Sequence, residues 1–312
     1  MLKKISNFFL EIIYSHVGTA FLVFAIMLLL SIFNLINTTL FLSTNGWLLP
    51  MIIIAFALPL IVFIKSRGGK RYLQSFSLKL PNKPHIPSII CSSFLIFFGS
   101  ALLKLLFVNG KYTEFPLYST FFAHRNGRFF NDIYLILAFC IVPPILEAFV
   151  FRGTILKELD KRGRLTATLC SSILFALLGF NMLELLPRLL IGCVLCMVFY
   201  ATGSILLTTT IHIAYNIFAV FIEPTLVSIK NVSANFELFT FIVAIITLIS
   251  AIFLFSNLSK LYQKYAHVKF GTNTTKSTSR ARTIQFFSEF MLSIPAIACY
   301  VVFVVVSLLA NK

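Results

Sequence analysis

The chain has 312 residues, of which 59% are hydrophobic, 15% aromatic and only 12% charged. Soluble domains carry about a quarter of charged residues, so these proportions exclude a soluble globular enzyme, a disordered chain, a coiled coil and a collagen. The formal net charge of +16 would suggest nucleic acid in a soluble protein. Here the basic residues lie between apolar blocks, where they orient a membrane protein instead. The expected partner is the lipid bilayer, with no nucleic acid.

In chain order, Leu2 to His16 mixes Lys3, Lys4 and Glu11 with apolar residues and reads as an interfacial amphipathic segment. Nine apolar blocks follow, at about 17–36, 46–64, 86–108, 133–150, 165–181, 185–201, 204–222, 236–258 and 286–310. A helix needs about 20 residues to cross the hydrocarbon, and the block at 165–181 is short for that. Backbone groups inside lipid must bond within their own segment. The expected fold is therefore all-α, a polytopic membrane helical bundle of about nine spans. Basic residues collect in alternate loops, around Lys65 to Lys83, Arg152 to Arg164 and Lys260 to Arg282. That asymmetry predicts a multi-pass protein of the cell membrane with a cytoplasmic N-terminus. The 259–285 stretch, rich in Thr, Ser and Lys, reads as a mobile loop. Six cysteines all fall inside apolar blocks and read as buried free thiols. Cys193 and Cys196 form a C-x-x-C with no second pair, so packing is the simpler reading. No internal repeat is evident, which argues against a transporter.

Ionisable groups at membrane depth cost at least about 2.5–3.5 kcal/mol on insertion scales and mark function by default. Those inside or beside the blocks are Lys104, Glu147, Arg152, Glu184, Arg188 and His212, with Asn216 alongside. Lys104 lies towards one end of its block and is expected to snorkel. Glu184 and Arg188, at i and i+4 around Pro187, read as a structural ion pair. Glu147 follows Pro143-Pro144, where a helix loosens or begins. His212 and Asn216 share one helix face. A carboxylate, an imidazole and an amide could position a water and donate to a developing oxyanion. Equally, they could be a buried polar cluster that fixes helix register.

The run Leu146-Glu147-Ala148-Phe149-Val150-Phe151-Arg152-Gly153 resembles the E-E-x-x-x-R motif of the CPBP family. That family comprises type II CAAX prenyl endopeptidases with bacteriocin-processing and lysostaphin-resistance-like membrane proteins. Phe175 to Gly179 falls where its F-x-x-x-H motif belongs. Thr202-Gly203-Ser204, followed by His212-x-x-x-Asn216, is similar to its third region. The resemblance covers about 133–222 and implies a core there. Residues 1–132 would then hold the amphipathic segment and three flanking spans, and 223–312 two further spans with a basic loop. By resemblance, Glu147 activates water, His212 and Asn216 stabilise the oxyanion, and Arg152 is structural. The resemblance leaves open a divalent metal such as zinc, for which only Glu147 and His212 remain as ligands, fewer than the three usual at catalytic zinc.

Two positions depart from the pattern: the second Glu is Ala148, and the motif histidine is Gly179. Arg152 loses the partner one helical turn back, and Glu147 lies about 140° from it round an ideal helix. Arg152 is expected to reach backbone carbonyls, Glu158 or the interface. Gly179 is expected to leave an imidazole-sized space for Phe180, Met182 or a water. Losing the imidazole removes help worth about 10²–10⁴ in rate. The implied function is a membrane protein with weakened or lost proteolysis, acting as a scaffold or peptide-binding partner of a peptide or membrane protein. The alternative is an active, divergent intramembrane endopeptidase that processes a prenylated or small secreted peptide. Either way, Glu147, Gly179, His212 and Asn216 are expected to converge on one intramembrane cavity near the cytoplasmic side.

Overall fold

The computed structural model describes residues 17–39, 45–74, 76, 78, 86–107, 116–225, 236–269 and 280–310. The segment Leu2 to His16 lies outside them. The described residues form an all-α membrane bundle. Its helices are α1 (Gly18–Thr39), α2 (Leu48–Ser66), α3 (Ile86–Phe107), α4 (Pro116–Ala123) and α5 (Phe129–Asp160). They continue with α6 (Arg164–Leu177), α7 (Leu185–Thr202), α8 (Ile205–Phe221), α9 (Phe236–Lys269), α10 (Arg280–Met291) and α11 (Ile294–Ala310). Each of the nine apolar blocks is thus largely helical over its described residues, with interruptions at 178–181 and 292–293.

Among the described residues, α1, α2, α5, α7 and α9 are long and apolar enough to cross a membrane. A bend of 56° separates α10 from α11, so the block at 286–310 is a broken span or a re-entrant turn. Pro295 explains the break, because it has no N–H to give the carbonyl four residues back. The 14 residues of α6 rise only about 21 Å, short of the hydrocarbon thickness. The stretch 259–285 differs from the expected mobile loop. There α9 continues to Lys269, and α10 resumes at Arg280.

Helix α5 positions the chemistry. It contains two π-helical segments, Ile136–Ile141 and Phe149–Ile155, on either side of Pro143-Pro144 and Glu147. Pro143 and Pro144 remove the N–H groups that the carbonyls of Phe139 and Cys140 would otherwise receive, which is a physical cause for the irregularity. In the second segment the hydroxyl of Thr154 donates to the carbonyl of Val150. Ser171, from α6, reaches the carbonyl of Phe151 at 3.5 Å. Side chains thus meet carbonyls that the loosened ladder leaves short, as an apolar surrounding requires.

The junction of α7 and α8 accounts for Thr202-Gly203-Ser204. Gly203 adopts φ 64, the left-handed conformation that ends a helix. Ser204 then caps α8, its hydroxyl accepting from the backbone N–H of Leu207 at 3.2 Å. Gly192 lets α7 approach α6 closely: a β-carbon there would stand 3.0 Å from Cα of Ser172. The flanking helices close over this centre, and one apolar cluster runs from Ala20 and Phe56 through Phe151 and Phe175 to Phe290 and Phe303.

Candidate functional site

Helices α5 and α8 bring the two motif groups together. Nε2 of His212 lies 3.6 Å from Oε2 of Glu147, and both side chains are over nine-tenths buried. That separation is slightly long for a hydrogen bond, and such contacts often tighten only when a ligand binds. Nδ1 of His212 makes no hydrogen bond among the described residues. Asn216, one turn further along α8, donates from Nδ2 to the carbonyl of Phe139 at 3.2 Å. This is one of the two carbonyls that Pro143 and Pro144 leave without a donor. One amide hydrogen of Asn216 therefore serves the backbone of α5.

Phe175 is the hub of the site. Its ring meets Phe151 edge-on at 5.3 Å and His212 at 5.5 Å. The guanidinium of Arg152 lies 5.1 Å from the ring centre and that of Arg188 lies 5.8 Å from it. Cation–π contacts of this kind are worth about 2 kcal/mol when desolvated. Arg152 is 1% exposed, and its Nε, Nη1 and Nη2 make no hydrogen bond among the described residues. It does not reach Glu158, a backbone carbonyl or the interface as the sequence suggested. The cause is its place in the π-helical turn, which keeps it inside the bundle. The i→i+5 spacing of that turn also brings position 152 closer to the face of position 147 than an ideal α-helix would. Arg152 and Arg188 are the two cations that act electrostatically on Glu147.

Gly179 does not leave an empty space. A β-carbon built on it would stand 2.5 Å from Cδ and 2.6 Å from Nε of Arg188. The side chain of Arg188 crosses the position from which the motif histidine would project. Met182 does not fill it; it is 56% exposed. The turn between α6 and α7 makes this possible, with Phe180 in the left-handed region at φ 50. The beginning of α7 folds back over Gly179 as a result.

Arg188 is held by a chain of buried ions. Its Nε donates to Oε2 of Glu184 at 3.3 Å. The other oxygen of Glu184 lies 3.6 Å from Nζ of Lys104, which donates to Oε2 of Glu223 at 2.9 Å. Nζ of Lys104 also lies 3.4 Å from the hydroxyl of Tyr215, and that hydroxyl shares a 2.9 Å hydrogen bond with Ser100. Lys104 is 2% exposed and so does not snorkel. Two carboxylates close enough to compensate its charge remove the need to reach water. Glu184 and Arg188 do pair, but as part of the site rather than as an isolated helix-start bridge.

Glu223 and Tyr215 escaped the sequence reading. Glu223 stands eleven residues after His212, close to three full turns at 3.6 residues per turn, and so falls on the face of His212 and Asn216. The helical phase could have found it, although it follows the end of the apolar block. All six cysteines are unpaired thiols.

A cavity of about 10 Å³ lies between Leu117, Phe175, Glu184, Arg188, Ile191, His212, Tyr215 and Asn216. That is room for about one water among polar partners. A larger cavity of about 360 Å³ lies between α1 and α2, but it is lined by apolar residues such as Phe21, Leu58 and Phe63, away from the ionisable groups.

Residues 129–218 match the family model described as Rce1-like, type II CAAX prenyl endopeptidase Rce1-like. Over that segment the membrane protein is similar to CAAX prenyl endopeptidases. No curated protein and no solved structure gives a match. The matched segment contains α5 to α7 and most of α8, and with them Glu147, Arg152, Phe175, Gly179, Arg188, His212 and Asn216. A divalent metal fits poorly in this CAAX-protease-like core. Glu147 and His212 are the remaining donors, and a guanidinium crosses the place of a third. Among the described residues no group of three His, Cys, Asp or Glu side chains is close enough to hold a metal.

Proposed function

We propose that this protein is a peptide-binding membrane protein built on a CAAX-protease-like core, with its hydrolytic chemistry weakened or lost. The observation that carries this reading is Arg188 lying across Gly179, where the motif imidazole would stand. An imidazole exchanges a proton near neutral pH, whereas a guanidinium cannot. Replacing one by the other removes general acid–base help and leaves hydrogen-bond donors. Glu147 lies in the field of Arg152 and Arg188 and keeps one imidazole, that of His212, beside it. The core at 133–222 would then present a peptide segment to the bilayer side or to another membrane protein. The flanking parts 1–132 and 223–312 would serve as supports. The cell membrane and a cytoplasmic N-terminus complete the proposal, on the asymmetry of the basic loops.

A second reading is an active, divergent endopeptidase. It is favoured by the 3.6 Å approach of His212 to Glu147 beside a water-sized cavity. In it Glu147, reached through His212, would take a proton from an attacking water and return it to the leaving amine, while His212 and Asn216, which line the cavity, would face the developing oxyanion. Purified protein in liposomes separates the two readings. Cleavage of a fluorogenic apolar peptide that disappears in Glu147→Ala establishes the endopeptidase. Binding without cleavage, unaffected by Glu147→Ala beyond a few-fold, establishes the binding role.

A further inference from the structure

The buried ions of the site divide evenly. Glu184 and Glu223 face Lys104 and Arg188 at 2.9 to 3.6 Å, while Arg152 and Arg188 act on Glu147 from beyond ion-pair distance. With all six ionised and His212 neutral, the cluster carries no net charge. It needs no counter-ion from outside, and a full anion entering it would add an uncompensated charge in a low-dielectric surrounding.

Hydrogen bonding is less complete than charge. Arg188 spends only Nε, on Glu184. Its Nη1 and Nη2 make no hydrogen bond among the described residues. Its side chain is 24% exposed, against 3% to 6% for Lys104, Glu184 and Glu223. Arg188 also lines the small cavity, together with His212, Tyr215 and Asn216. The outer end of the guanidinium is thus a fork of donors, anchored at its inner end and open towards a polar hollow. A neutral oxygen acceptor satisfies such a fork without upsetting the charge balance.

We infer that Arg188 is the ligand-binding residue of this site, donating from Nη1 and Nη2 to a backbone carbonyl oxygen of a membrane-embedded peptide. The inference rests on the peptide-binding reading above. Gly179 and Arg188 act as a steric pair, since only a residue without a β-carbon at 179 lets the guanidinium lie there. Glu184 is a positioning residue, holding Nε so that the terminal nitrogens point outward. Lys104, itself fixed by Glu223, holds Glu184 in turn.

The test uses full-length protein in nanodiscs and two fluorescein-labelled apolar peptides of one sequence, one with a free C-terminal carboxylate and one amidated. Parent protein is compared with Arg188→Ala, Arg188→Lys and Gly179→Ala, each checked for thermal unfolding. A charge-assisted hydrogen bond corresponds to roughly a ten- to hundredfold change in affinity. The expected result is a loss of that size for both peptides alike in Arg188→Ala, partly restored by millimolar guanidinium ion. A smaller loss is expected in Arg188→Lys, which keeps the charge without the fork. Gly179→Ala displaces Arg188 without removing it, so it should weaken both peptides and keeps the test open if Arg188→Ala does not fold. A loss confined to the free-acid peptide overturns the inference, because it makes the site a carboxylate receptor. Unchanged affinity in Arg188→Ala overturns it while peptide binding stands. Failure of the parent to bind either peptide removes the peptide-binding reading, and this inference with it.

Discussion

The Cδ of Arg188 lies 2.5 Å from where a β-carbon on Gly179 would be, so a side chain at 179 and the Arg188 side chain cannot share this space in this arrangement. Gly179 is therefore more than a deleted histidine. The space is occupied by a neighbour whose Nε is anchored by Glu184 and whose guanidinium lies 5.8 Å from the centre of the Phe175 ring. On the peptide-binding reading, the exchange would replace a group that moves protons with one that donates to oxygen.

Restoring the motif by Gly179→His should accordingly be harmful rather than neutral. The clash falls on the middle of the Arg188 side chain, and overpacking of this kind typically costs about 1–3 kcal/mol. The double change Ala148→Glu with Gly179→His should unfold at lower temperature than the parent. Adding Arg188→Ala as a third change should recover most of the loss. The measurement is thermal unfolding in one detergent for parent, double and triple variants. A double variant as stable as the parent would show that Arg188 moves aside freely, and the steric exchange would be wrong.

Arg152 poses the opposite case. It is buried without a hydrogen bond among the described residues, and its evident support is the ring of Phe175. Removing an unpaired buried charge relieves desolvation, while losing the cation–π contact costs about 2 kcal/mol. These effects oppose each other, so Arg152→Met should change stability by only about 1 kcal/mol in either direction. Chemical denaturation of the two proteins side by side gives the number. A loss beyond about 3 kcal/mol would mean that Arg152 has a strong partner, and that the description of it as an orphan is mistaken.

The difference between these arginines marks where the sequence is readable. Long apolar blocks dictate helices because no other element satisfies its backbone in lipid, and those blocks became helices as expected. Glu147, His212 and Asn216 could be grouped from their setting and motif resemblance, and α5 and α8 place them together. Arg188 could not be placed in the same way. Its position depends on a turn in which Phe180 takes φ 50, a conformation that a phenylalanine does not announce. Lys104 was misread because helix ends usually allow snorkelling. Its neutralising partners come from residues 80 and 119 positions away, and no local pattern reports them.

The Lys104 network makes its own prediction. Breaking one partner of a buried pair leaves the other charge uncompensated and costs about 3–5 kcal/mol, while replacing both with apolar groups is much milder. Glu223→Leu alone should therefore destabilise strongly. Lys104→Met with Glu223→Leu should be less damaging than Glu223→Leu alone, although Glu184 then keeps only Arg188. A double-mutant cycle on unfolding free energies measures the coupling. Additive single effects would mean that the 2.9 Å contact contributes nothing specific.

Asn216 can be tested through the proline it compensates. Its Nδ2 donates at 3.2 Å to the carbonyl of Phe139, which would receive the N–H of residue 143 in a regular helix. Pro143 has no N–H to give. Asn216→Leu should therefore cost about 1–3 kcal/mol, the usual penalty for a buried backbone acceptor left unmet. Pro143→Ala restores an N–H at the required position. In the Asn216→Leu background it should recover part of that loss, although in the parent it should do little, because the carbonyl is already satisfied. The comparison needs four proteins and one unfolding assay in detergent. If Pro143→Ala changes stability equally with and without Asn216, the amide is not compensating for the proline. Asn216 would then be free to donate both of its amide hydrogens to a bound peptide, and its loss would appear in peptide affinity rather than in unfolding.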